Sequence, residues 1–385
     1  MLLGVAIFHH RPLAVALIGL SAIVIYELFV SSFPPGQGLH GLALHIANEW
    51  VTLANLLLLL VGFALLSNQF EQSNIPDAMP RVLPDDWTGG FALLGIVFVM
   101  SAFLDNIAAA VIGGVMAKHL YHARVSVAFL AAIVAAANAG GAGSVIGDTT
   151  TTIMWINGVS PLTVLWAFGA AIPAFLIFGV VGALVQQRYE PIIKQTEPGH
   201  PIDWMRVVIV MLILVTLIAA NISVTTFIPE MEEYAPALGL AVWIAILLTA
   251  FLRRPDWSVA PSALAGATFL VALVAAASLM PVDALPAPSW QSVFVLGLAS
   301  SVFDNIPLTA LALEQGGYDW ALLAYAVGFG GSMVWFGSSA GVALTNLYPE
   351  GRSVLTWLRQ GWFVVVAYVV GFVVLLLAHG WSPDR

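Results

Sequence analysis

Eleven apolar stretches follow one another along this chain, most of them near the length that crosses a bilayer, with few charges between them. A helix needs about 20 consecutive apolar residues to span roughly 30 Å of hydrocarbon. Residues 12–33, 42–67, 162–186, 206–228, 236–252, 258–280 and 360–379 read as simple spans. Composition agrees, since 9% of the 385 residues are charged, 60% are hydrophobic and mean hydropathy is +0.96. A soluble domain carries about a quarter charged residues, and a surface facing water cannot be made from so few. The expected fold class is an all-α polytopic membrane protein. The chain has no cysteine, which excludes disulfides, thiol nucleophiles, iron–sulfur clusters and Cys-based zinc sites. Its 12 Lys+Arg are scattered singly or in pairs, so no nucleic-acid partner is expected. The first eight residues are apolar, with no basic region before them and no small-residue cleavage site after, so no cleavable leader is expected.

Four stretches are interrupted. Residues 89–120 and 289–316 each carry an Asp-Asn pair in mid-run, Asp105-Asn106 and Asp304-Asn305. Residues 125–157 and 319–348 are broken by glycines, at 140–143 and 328–331. The basic residues decide how these cross. If 89–120 and 289–316 are hairpins returning to the side they enter from, one side holds Arg11, Arg81, Lys118, Arg124, Arg188, Lys194, Arg206, Arg253, Arg254, Arg352 and Arg359. The other side holds Arg385 alone. Reading each hairpin as a single span instead divides the charges four against eight. Cytoplasmic loops carry the Lys and Arg, so the hairpin reading is preferred. Each arm, at about 15 residues or roughly 22 Å, is too short to cross the hydrocarbon. The expectation is about nine full spans, two re-entrant helical hairpins and two discontinuous helices. The N-terminus is then cytoplasmic and the C-terminus periplasmic or extracellular.

The interruptions also repeat. Ser101-Ala-Phe-Leu-Asp105-Asn106-Ile107 parallels Ser300-Ser-Val-Phe-Asp304-Asn305-Ile306. Gly140-Gly141 and Gly147-Asp148 are matched at the same spacing by Gly330-Gly331 and Gly337-Ser338. A first repeat is placed at 1–187, a connecting span at 188–235, and a second repeat of opposite orientation at 236–385. Inverted repeats with broken helices are the mark of secondary transporters, with the site at the midplane.

Non-helical backbone is tolerated at membrane depth only where protein or a water-filled cavity surrounds it. The breaks therefore predict a cavity, and its candidate lining is Asp105, Asn106, Asn138, Ser144, Asp148 and Thr149 with Asp304, Asn305, Thr309, Ser332, Ser338 and Ser339. Carboxylate, amide, hydroxyl and freed carbonyl oxygens suit a hard cation such as Na⁺. The sodium ligands proposed among them are Asp105, Asn106, Asp148, Asp304 and Asn305. No Lys or Arg falls in this set, as an anionic substrate would usually want. Carboxylates near one another in low dielectric hold a proton or a cation but not comfortably both. Such competition suffices for obligatory exchange. Ionisable residues at membrane depth are functional by default because they are expensive. No cofactor is expected beyond the transported ions.

Plainer readings compete. Asp148 opens Thr149–Thr152 and could cap the helix that follows. The Thr run suits back-bonding inside that helix, and the Asp-Asn pairs suit turn chemistry. Glu27, late in its span, is placed at the outer surface. His45 and Glu49 share a helical face and read as a polar pair. The 13 Trp read mostly as interfacial anchors.

At these motifs the sequence resembles the ion transporter superfamily, the citrate transporter-like and divalent anion:sodium symporter proteins, and within it the NhaD-type sodium/proton antiporters. Ser101-Ala-Phe-Leu-Asp105-Asn106-Ile107, Asn138-Ala-Gly-Gly-Ala-Gly-Ser-Val-Ile-Gly-Asp-Thr-Thr-Thr-Thr-Ile-Met-Trp155 and Phe303-Asp-Asn-Ile-Pro307 carry the likeness. The resemblance implies Na⁺ (or Li⁺)/H⁺ exchange by a homodimer in the bacterial inner membrane, with an elevator-like movement. The hairpin tips are also similar to the Ser-Asn-Thr tips of divalent anion:sodium symporters, so the alternative is a sodium-coupled citrate or dicarboxylate symporter. Asp in place of Ser favours the cation exchanger. No enzyme is expected: an intramembrane aspartyl protease needs Gly-x-Gly-Asp, and position 145 here is Val145.

Overall fold

Where the apolar stretches are interrupted, the helices stop. The computed structural model describes residues 12–30, 33, 36–78, 83–192, 201–228, 231–279, 286–303 and 305–383. Asp304 lies outside the described residues, as do Arg11, Arg81, Lys194 and Arg385. The main helices are α1 (Pro12–Phe29), α2 (Gly38–Glu71), α3 (Trp87–Ser101), α4 (Asn106–Leu120), α5 (Val127–Ala142), α6 (Thr149–Ile156), α7 (Phe168–Tyr189), α8 (Trp204–Phe227), α9 (Ala237–Thr249), α10 (Ala260–Ala277), α11 (Trp290–Ser300), α12 (Asn305–Gln315), α13 (Trp320–Gly330), α14 (Ser339–Leu347) and α15 (Trp362–His379). Among the described residues the only β pairing is an isolated bridge from Phe33 to Gly36. Among the described residues, four helical segments are long and apolar enough to cross a bilayer: Gly38–Glu71, Pro161–Tyr189, Trp257–Ala276 and Trp362–His379. The chain is a multi-pass membrane protein.

The helices fall into two compact units. One contains α1, α2, α8, α9 and α10. Its spine is α2, on which α8, α9 and α10 pack, with α1 against α10. Asn55 Oδ1 accepts from Gly239 N at 3.0 Å and Leu58 O from Trp243 Nε1 at 2.9 Å, fastening α9 to α2. Two expectations are corrected here. Glu27 is buried, at 8% exposure. It stands eleven residues, about three turns, beyond Ala16, which packs on Ala272 and Leu273, so it shares that inward stripe. His45 pairs with Ser278 Oγ (3.1 Å) at the end of α10, not with Glu49. A neighbouring helix supplies the partner that the shared face had suggested.

The second unit contains α3 to α7, α11, α12 as far as Ala312, and α13 to α15. At its centre every residue of α5 is buried, as is α13 from Ala321 to Gly330. Alanine and glycine dominate α5, and small side chains let helix backbones approach closely without a large apolar driving force. Around α5 pack α3, α4, α7 and α13; α7 also packs on α15, α11 on α13, and α14 on α4. Two of the tryptophans expected at the interface are instead buried, Trp155 and Trp357.

One end of this unit is basic. Gln186 at the end of α7 accepts from Ser126 N (2.8 Å) and donates to Arg124 O (3.0 Å), while Arg124 pairs with Glu190 at 3.1 Å. The ends of α4 and α7 and the start of α5 therefore lie together. Tyr348 OH donates to Gly114 O at 2.9 Å and brings the end of α14 to the same place. Gly361, just past Arg359, sits against Ala131 in the second turn of α5. Lys118, Arg124, Arg188, Arg352 and Arg359 thus share this end. At the other end His379 faces Asp319 at 3.9 Å, and no described Lys or Arg of this unit lies there.

Candidate functional site

The second unit brings together residues from both interrupted regions. α3 and α4 form a helical hairpin of two 15-residue arms whose tip holds Asp105. Asp105 occupies the N-cap position of α4, where the backbone amides of Asn106 and Ile107 at the helix start face its carboxylate. Asn106, the first residue of α4, is buried and donates from Nδ2 to Asn138 Oδ1 at 3.2 Å.

Asn138 sits one turn before the end of α5 and is fully buried. Its Nδ2 lies 3.0 Å from both Ser332 Oγ and Ser338 Oγ. One amide therefore ties the first hairpin and the first broken helix to the second broken helix.

Asp148 is 1% exposed and begins α6, with Oδ1 accepting from Thr150 N at 3.1 Å. The capping reading holds, and the same oxygen has a second neighbour. Asn305 Nδ2, at the start of α12, stands 3.5 Å from the same Oδ1. Asp105 is close enough for the two carboxylates to repel one another. A carboxylate thus occupies the N-terminus of α4 and of α6, where a helix carries partial positive charge. Ser338 fills the matching place on α14, its Oγ accepting from Gly341 N at 3.3 Å.

Other candidates are placed differently. Ser144 Oγ donates to Ala102 O at 2.6 Å and pins the hairpin tip to the first break. Thr309 Oγ1 donates back to Asn305 O at 3.0 Å. Thr149 and Ser339 open α6 and α14 and are partly exposed. Thr151 and Thr152 back-bond, each to Asp148 O, at 2.8 and 3.0 Å. Thr150 was not singled out by the sequence, yet its buried Oγ1 has no hydrogen-bond partner among the described residues. Its only signal was a place two residues after an Asp that opens a helix. Trp357 was also missed; its Nε1 donates to Ser332 O at 3.3 Å. No Lys or Arg takes part in these contacts, and Lys118 lies twelve residues along α4 from Asn106, about 18 Å.

Contacts in the two interrupted regions correspond. Ser101 Oγ donates to Ala137 O, and Ser300 Oγ to Val327 O at 2.7 Å. A Cβ on Gly140 would overlap Phe98 O, and one on Gly330 would overlap Gly297 O. Glycine is required at both places because hairpin arm and broken helix touch through their backbones. Opposite Asp148 the second region carries Gly328, where a Cβ would stand 3.0 Å from Oδ2.

A family model described as "Citrate transporter" (CitMHS) matches residues 3–330. The chain belongs to this citrate transporter family. The family match covers both hairpins and the first break and ends at Gly330, before α14. Among similar proteins, sodium/proton antiporter 1 of Arabidopsis thaliana is 26% identical over 357 residues, covering 83% of this chain and 58% of that protein. The Na⁺/H⁺ antiporter NhaD of Vibrio cholerae serotype O1 is 28% identical over 349 residues, 74% of this chain and 69% of that one. The NhaD of Halomonas elongata is 26% identical over 298 residues, 64% and 58%. This citrate transporter family member therefore spans somewhat over half the length of the plant and Halomonas proteins. The NhaD resemblance read from Asn138–Trp155 and the hairpin tips agrees with these relatives.

Proposed function

We propose that the chain is a secondary transporter exchanging Na⁺ or Li⁺ for H⁺. The carrying observation is the pair Asp105 and Asp148, two mutually repelling carboxylates at two helix N-termini with no Lys or Arg among the described residues beside them. Such a pair accepts one cation between ionised oxygens, or a proton in its place. Asn106, Asn305 and the hydroxyl of Thr150 supply neutral oxygens, and Asp304 joins them by its place in the second Asp-Asn pair. Asn138, Ser332 and Ser338 hold the two broken helices in register. Relatives named as sodium/proton antiporters support the reading.

The finer architecture is part of the same proposal. Arms of 15 residues in the first hairpin and 11 in the second reach about 22 and 16 Å, short of the hydrocarbon thickness, so the hairpins are read as re-entrant and the site as lying near the midplane. The regions are read as inverted repeats within about nine spans. The basic end of the second unit is assigned to the cytoplasm. A homodimer in a bacterial inner membrane, with elevator-like movement, follows from the resemblance.

Reconstitution tests this. Purified protein in liposomes with a trapped pH dye and an acidic interior should alkalinise the lumen on external NaCl or LiCl. Na⁺-dependent uptake of labelled citrate, without any cation-driven alkalinisation, would replace exchange by symport.

A further inference from the structure

Away from the paired carboxylates, the basic end of the second unit holds a cavity of about 370 Å³ lined by Val115, Lys118, His119, His122, Ala123 and Leu347. Its wall comes from an unusual helix ending. α4 stops at Leu120, and the chain turns with Ala123 N donating to Lys118 O at 2.8 Å, the 6→1 bond of a Schellman ending. That ending calls for glycine in the left-handed region, yet His122 has φ 50° and Ala123 φ 63°. Consecutive non-glycine residues held there are costly and persist where surrounding structure demands them. The result is that His122 faces the same cavity as Lys118 and His119.

His119 adds a directional group. Its Nδ1 lies 2.9 Å from Val115 O, which can only accept, so Nδ1 bears a proton and Nε2 is the atom left to meet a ligand. Lys118 brings a positive charge to the last turn of α4, the end of a helix that cations complement. The remaining wall, from Val115, Ala123 and Leu347, is apolar.

We infer that this cavity binds the phosphate of an anionic phospholipid headgroup. Lys118 and the two imidazoles meet the phosphate, and the glycerol and first acyl carbons lie on Val115 and Leu347. Basic pockets among helices at a membrane's cytoplasmic face recognise lipid headgroups in this way. A free phosphate ion would leave the apolar wall uncovered and most of the volume unfilled, which favours the lipid. Tyr348 OH on Gly114 O joins the same stretch of α4 to the end of α14, so a bound headgroup would brace that junction. The inference rests on the membrane assignment and not on the exchange reaction.

The test uses full-length protein stripped of lipid in neutral detergent, titrated with phosphatidylglycerol or phosphatidylcholine and read by native mass spectrometry. Phosphatidylglycerol should bind the wild type about tenfold more tightly than phosphatidylcholine. Lys118→Gln with His119→Gln should lose about that factor. His122→Gly should lose a similar part while relieving its backbone, so misfolding cannot explain the loss. Arg359→Gln, at the same end but outside the cavity, should bind as wild type, and excess inorganic phosphate should not displace the lipid. Equal loss in Arg359→Gln, displacement by inorganic phosphate, or no preference for phosphatidylglycerol would each overturn the proposal.

Discussion

Asn138, buried within α5, donates from Nδ2 to Ser338 Oγ at 3.0 Å and so joins residues 200 positions apart. The same amide reaches Ser332 Oγ and accepts from Asn106. Three chain segments that are separately interrupted are thereby held to one geometry, and the carboxylates at the neighbouring helix starts inherit it.

Removing that amide should be expensive. Asn138→Ala strands the partner groups of Asn106, Ser332 and Ser338 in a buried site, at roughly 1 kcal/mol or more for each bond lost. A total loss of about 3 kcal/mol is expected, read as a lower unfolding midpoint in detergent. Asn138→Asp, which can accept from both serines, should recover part of that stability.

Asp148 separates folding from transport. Asn is as good an N-cap as Asp, so Asp148→Asn should keep stability within about 1 kcal/mol of wild type. It should still abolish cation-driven alkalinisation in liposomes, because the charge is gone. A stable variant that transports normally would remove Asp148 from the ion site.

The close backbone approaches predict a matched pair of defects. Gly140→Ala and Gly330→Ala each drive a methyl group into a carbonyl oxygen of the adjoining hairpin arm. Overpacking of this kind costs about 1–3 kcal/mol, and thermal unfolding of the two variants should show similar losses. By contrast, Ala123→Gly should raise stability by about 1 kcal/mol, since an L-residue is strained at φ 63° and glycine is not.

A pH effect belongs to the first unit. Asp203 caps α8, and the hydrogen bond from Arg253 Nε (3.1 Å) holds its carboxyl below the usual range, with the Arg206 and Met205 amides adding to this. A depressed carboxyl stabilises the fold where the unfolded chain is already ionised, above about pH 4, and loses that as pH falls through the folded value. Unfolding midpoints should be flat toward neutral pH and drop on the acid side. Asp203→Asn should flatten that drop.

Much of this was legible in the sequence. The four interrupted stretches match helix pairs to within two residues at each outer end, because apolar length and the Asp-Asn or glycine breaks are local signals. Partners were not legible. Nothing in the run Thr149–Thr152 distinguishes Thr150, whose hydroxyl is left over, from Thr151 and Thr152, which back-bond. Period alone put His45 with Glu49, and composition put Trp357 at the interface, whereas packing supplied Ser278 and Ser332. That Asn138 rather than a carboxylate would be the junction depends on which helices meet.

The central claim is that Na⁺ and H⁺ compete for the Asp105–Asp148 pair. It is tested most directly by adding NaCl to the purified protein in weakly buffered detergent and following proton release. Release that saturates with Na⁺, is reproduced by Li⁺, and disappears in Asp105→Asn and Asp148→Asn is the predicted result. Na⁺ binding that displaces no proton from the wild type would contradict it.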